Sequence, residues 1–313
     1  MPREILTALA GGLAGAVLYL SVRTGTPGSI LLAYLSPLPL LFAGLASAWI
    51  WAGAACITAL AGIAAGASMG LAAMFAVVVA VPVLIVTRQG LLSRPGATPE
   101  TTEWYPPGLL LGWLTGYALA GLAVASVWLS GAEGGMTGLI TQTVSELVRR
   151  LPPEAQDPRV AQVLLAMAPY VPGMMATLWL IVIAGNAALA QKLLTRLGWN
   201  RRPTPAYSML ELPRWLLVAV AVSALASLMS GQIGMTGRNG LIISLVPFLF
   251  LGLAVVHVLT RGRPARQFVL AGVYMMLLMF TWSATLLVGI GIIEQWVRLR
   301  HRFAASPDDQ EEE

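Results

Sequence analysis

Between Ile5 and Thr87 the chain carries one charged residue, Arg23. A stretch of that length with a single charge cannot cover itself with polar surface in water. It reads instead as consecutive passages through hydrocarbon, each needing about 20 residues. The rest of the chain points the same way. Of 313 residues, 57% are hydrophobic and only 11% are charged, and the mean hydropathy is +0.77, where a soluble domain carries about 25% charged residues. Lipid is the expected solvent for most side chains, and the expected fold class is all-α, a polytopic transmembrane bundle of eight or nine helices.

The apolar pieces fall at 5–22, 29–46, 48–66 and 68–87, separated by "RTGTPGS", "GLAS" and "AGASMG". The first resembles a leader peptide in having a charged start, but more apolar segments follow at once, and it is expected to stay as a span. Residues 88–106 are polar and turn-rich. A span from Pro107 to Leu129 follows, with Trp104 and Tyr105 at the headgroup level and proline at the helix start. Further spans are expected at 169–192, 213–230 and 240–260, with a last apolar run at 267–293. Residues 131–167 form an amphipathic insertion with Leu139, Val144, Leu147 and Leu151 at helical spacing. Such a helix either lies on the membrane surface or packs over the mouth of the bundle. Residues 1–297 thus read as one membrane domain, and 298–313, ending in "DDQEEE", as a disordered polar tail.

Arginines set the orientation. Residues 193–214 carry Arg196, Arg201, Arg202 and Arg214 against Glu211, and the 261–266 turn carries Arg261, Arg263 and Arg266 with no acid. Both are expected in the cytoplasm. The insertion at 131–167 and the short turn "GQIGMTGRNG" with Arg238 are expected outside. A single crossing by 267–293 would then place Arg298, Arg300 and Arg302 outside as well, a conflict that a hairpin near "FTWSAT" would remove. The net charge of +5 does not signal nucleic acid, because the basic residues are dispersed between spans rather than gathered on one face. Gly198 falls where a helix would end, Pro213 suits the first turn of the next, and Trp199 and Trp215 suit the interface.

Polar or irregular positions inside the spans are the candidate site. Ser36, Pro37 and Pro39 interrupt a span and free backbone carbonyls. Such groups either hold substrates and ions or are repaired by packing. Asn186, within "IVIAGNAALAQ", either lines a cavity or clasps a neighbouring helix. His257 and Glu294 sit near membrane boundaries without a partner legible in sequence. Cys56 is the lone cysteine, a small packing residue. Glycine-rich stretches at 11–15, 61–70 and 116–121 permit close helix approach.

The sequence of features from Asn186 through "LAQKLLTRLG" and a proline-bearing linker to "LPRW", together with "YLSPLPLLFAGLASAW" at 34–49, resembles the YybS-like family of uncharacterised multi-spanning bacterial membrane proteins. That family is distantly similar to the substrate-binding subunits of energy-coupling-factor transporters. The resemblance implies a bacterial cytoplasmic (inner) membrane location and a small-molecule-binding helical bundle.

No phosphate-binding loop, HExxH or EF-hand pattern occurs, so no cofactor, metal or catalytic residue is expected and the chain reads as a non-enzyme. Glu133, Glu146 and Arg214 are polar but nothing in sequence assembles them. Small-molecule binding or transport is the leading expectation, with Ser36, Pro37, Pro39 and Asn186 as the ligand site. The expected partners are the lipid bilayer and a coupling ATPase or other membrane protein. The alternative is a non-transporting membrane scaffold for envelope-associated assemblies.

Overall fold

The computed structural model describes residues 3–96, 98, 101–150, 157–280 and 282–303. In chain order the helices are α1 (Arg3–Leu20), α2 (Pro27–Tyr34), α3 (Pro37–Ala46), α4 (Trp49–Gly66), α5 (Met69–Phe75) and α6 (Val81–Gly90). The strands β1 (Ser93–Pro95) and β2 (Thr102–Trp104) come next, followed by α7 (Pro107–Trp128), α8 (Gly135–Arg149), α9 (Pro158–Met167) and α10 (Val171–Leu197). The chain continues with α11 (Trp215–Ser227), α12 (Gly231–Leu259), α13 (Arg266–Met279), α14 (Ser283–Val297) and α15 (Leu299–Phe303). Among the described residues, seven helical segments are long and apolar enough to cross a membrane: 3–24, 27–46, 49–66, 69–90, 107–131, 158–197 and 231–259. The chain is a helical, multi-pass membrane protein.

Several differences from the sequence reading have clear causes. The polar loop after α6 contains a small antiparallel hairpin, with Arg94 facing Glu103 and joined to it at 2.7 Å. The supposed outer turn "GQIGMTGRNG" is the start of α12, whose 29 residues run unbroken from Gly231. Glycine-rich composition suggested a turn, but the glycines serve close approach: a Cβ on Gly237 would collide with Ala226 of α11. The last apolar run is two helices, α13 and α14, broken between Met279 and Ser283 where a bend near "FTWSAT" was expected. The beginning of the supposed tail, Leu299–Phe303, is helical, and residues 304–313 lie outside the described residues. Leu151 of the insertion also lies outside them.

The helices pack as two compact units. The first holds residues 1–114 and 179–206, and the second holds 115–178 and 207–313, so α7 and α10 contribute to both. In the first unit α1 is the centre. A Cβ on Gly11 would sit 2.8 Å from the Pro39 carbonyl, and one on Gly12 would sit 2.5 Å from the Ala55 carbonyl. Glycine is therefore what lets α1 lie against both α3 and α4. At one end of this unit Arg3 stacks 3.5 Å over the Trp199 ring. There too the buried Arg202 donates to the carbonyls of Gly90 (2.7 Å) and Tyr105 (3.4 Å). The chain start, the 88–106 loop and the 198–202 loop thus share an end.

The second unit is built on α12. Toward its start, Thr236 is joined to Ser126 at 2.7 Å, and Thr137 of α8 donates to the sulfur of Met235. Toward its finish, Arg261 reaches Ser208. The 131–149 insertion and the basic 261 turn therefore lie at opposite ends of α12, as the charge pattern expects.

Candidate functional site

In hydrocarbon a backbone carbonyl without a donor has no water to turn to, so each helix break must be answered from elsewhere in the protein. The break between α2 and α3 follows from Pro37 and Pro39, which lack N–H groups. Leu35 and Ser36 donate back three residues, to Leu32 and Ala33, and Leu38 donates to Leu35. Tyr34 is skipped. Its i+3 neighbour is Pro37, and its i+4 neighbour, Leu38, is already committed. The amide of Asn186 takes that carbonyl: Nδ2 donates to Tyr34 at 2.9 Å and to Val182 of its own helix at 2.8 Å. Since both neighbours are acceptors, the nitrogen must face them.

The structure thus brings Asn186 to the break expected at Ser36, Pro37 and Pro39. Ser36 and Pro37 are buried, and a Cβ on Gly15 of α1 would lie 3.2 Å from the Ser36 carbonyl. Asn186 is 6% exposed, and its Oδ1 is buried with no hydrogen-bond partner among the described residues. One half of the amide clasps the break and the other half is an unanswered acceptor.

The same logic recurs at two breaks that sequence alone does not single out. Residues 76–80 form a π-helical turn ahead of Pro82, so the Val78 carbonyl has no donor four residues on. The indole of Trp179 supplies one at 2.7 Å. In the second unit Asn239, fully buried in α12, enters the break between α9 and α10. Its Oδ1 accepts from the Gly173 N–H at 2.6 Å and its Nδ2 donates to the Pro169 carbonyl at 2.8 Å. An unbroken helix would join Pro169 to Gly173 directly, and the asparagine amide stands in for that missing bond. Gly173 is required, because a Cβ there would sit 2.9 Å from Oδ1. The signal was an asparagine inside a glycine-rich segment, which a turn explains equally well.

A second buried polar cluster lies at α14. Glu294, 3% exposed, accepts from Arg300 Nε at 2.7 Å. The remaining guanidinium nitrogens donate to the carbonyls of Ser208 (2.6 Å) and Leu210 (2.8 Å), and Gln295 donates to Leu212. Irregular backbone at 207–212 is thereby satisfied by side chains from the C-terminal helices. The turn that brings Arg300 back passes through Arg298, held at φ 52°. His257 donates from Nδ1 to the Leu253 carbonyl at 2.9 Å and stacks edge-on against Tyr274, with ring centroids 6.0 Å apart.

Glu133 and Arg214 are exposed and apart from these clusters, and Glu146 forms ion pairs with Arg149 and Arg150 on α8. Among the described residues no group of three or more His, Cys, Asp or Glu could hold a metal ion. No protein-family model matches the chain, and no curated protein or solved structure matches it.

Proposed function

We propose that this protein binds or moves a small molecule within the membrane, at the α2–α3 break in the first unit. The observation that carries the reading is the Oδ1 of Asn186, buried beside a proline-interrupted span and left without a donor among the described residues. A buried acceptor of that kind costs on the order of 1–3 kcal/mol unless something answers it. A ligand that does so presents an N–H, an O–H or a cation, because the amide's own donors are already engaged. The resemblance to the YybS-like family supports the same assignment and a bacterial cytoplasmic membrane. Transport would draw its energy from a coupling ATPase or an ion gradient, since no nucleotide-binding loop is present in the sequence. The seven long segments with α11, of 13 residues, make eight of the proposed eight or nine membrane helices, and α14, of 15 residues, makes the ninth.

The scaffold reading is favoured by the other half of the amide, whose bonds to Tyr34 and Val182 have a structural purpose without any ligand. Mass spectrometry of the full chain, purified in lipid nanodiscs with its native partners, separates the two. A bound small molecule lost in Asn186→Leu and weakened in the milder Ser36→Ala supports binding. A folded protein that carries no small molecule, and whose partners are unaffected by either change, supports the scaffold.

A further inference from the structure

We propose that α13 lies in the plane of the membrane boundary and docks onto anionic lipid headgroups through Arg263 and Arg266. The placement rests on three contacts within the second unit, independent of the binding site proposed above. A Cβ on Gly252 of α12 would meet the Leu287 carbonyl of α14, and one on Gly291 of α14 would meet the Phe248 carbonyl of α12. Moving four residues forward on one helix moves four back on the other, so the helices run in opposite senses. The first turn of α14 therefore lies beside the last turns of α12. The middle of α13 is at the same level, because Tyr274 stacks against His257. Its beginning is also held there by a compact turn, in which Arg263 donates to Thr260 and Arg266 donates to Arg263. A helix of 14 residues is about 21 Å long. Had it crossed, its end would lie far from the level at which it began.

The surroundings of α13 identify what covers it. None of its residues is buried, and Phe268 and Leu278 are 82% and 86% exposed. Apolar side chains so open need acyl chains, while Tyr274, Phe280 and Trp282 suit the headgroup level. Residues 260–280 contain no acid, and the side chains of Arg263 and Arg266 form no ion pair or hydrogen bond among the described residues. Two unanswered guanidinium groups at the start of an apolar, in-plane helix match lipid phosphate.

The test uses the full chain with Cys56→Ala, in nanodiscs of phosphatidylcholine with or without phosphatidylglycerol. Nitroxides placed in turn at Val269, Val273, Met276 and Met279 are expected to report one shallow depth with no trend. Phosphatidylglycerol is expected to be retained preferentially through delipidation. Arg263→Gln combined with Arg266→Gln should lower that preference by roughly tenfold. Depth changing steadily by about 15 Å along the four positions would show a crossing helix. An unchanged lipid preference in the double variant, or spin–spin broadening at Met279 from a second copy, would also overturn the proposal.

Discussion

Asn239 answers two backbone groups at once, the buried N–H of Gly173 and the part-buried carbonyl of Pro169. In Asn239→Leu the Pro169 carbonyl and the Gly173 N–H are left unpaired, with an expected loss of about 2–4 kcal/mol in detergent unfolding titrations. Gly173→Ala should cost a similar fraction of that stability, about 1–3 kcal/mol, by pushing the amide out of register. Arg298 presents the opposite case. At φ 52° it occupies the left-handed region that glycine adopts freely. Arg298→Gly is expected to raise stability by about 1 kcal/mol, read as a higher melting temperature. Asn186 and the Ser36–Pro39 break were legible in the sequence because an amide and two prolines are conspicuous among aliphatic residues. Asn239, Trp179 and Arg300 were not legible. Their roles depend on which carbonyl each one faces, and no local pattern carries that information.

Helices in this chain meet by glycine where backbone approaches backbone. α12 and α14 touch at Gly252 against Leu287 and at Gly291 against Phe248. Gly291→Leu is therefore expected to separate α14 from α12 and lower the unfolding midpoint, whereas Gly272→Ala on α13, which meets nothing within 4 Å, should leave it unchanged or slightly higher. The docking of α15 rests on a buried ion pair. Arg300→Gln leaves Glu294 as an uncompensated buried charge and should cost about 3–5 kcal/mol, measured against a Glu294→Gln/Arg300→Gln double variant that removes both charges and recovers part of the loss. The spans before residue 90 matched their expected limits closely because serine and glycine mark each break: Ser68 caps α5, and Gly25 takes the left-handed turn before α2. The later ones matched less well, apart from the span from Pro107, which ends at 131 against an expected 129. At Gly231–Gly240 the composition of a turn belongs to a helix packed tightly on α11.

At the scale of the whole molecule, topology can be read by labelling. Single cysteines at Arg201 and Glu133, in a Cys56→Ala chain, are expected to react with impermeant thiol reagents from opposite faces of the membrane. Reaction of both from one face would refute the charge-based orientation. The solvent of this protein, its helical class and the sites of most of its turns follow from the sequence alone. They depend on the spacing of charge and of proline along the chain, and on the rule that a backbone in lipid must satisfy itself. The tertiary structure decided which donor answers each break, that α13 and α14 are separate helices, and that the Asn186 amide has its nitrogen engaged and its oxygen without a partner among the described residues. Those outcomes depend on residues far apart in the chain, such as Tyr34 and Asn186 or Ser208 and Arg300, whose meeting is fixed by the packing of whole helices.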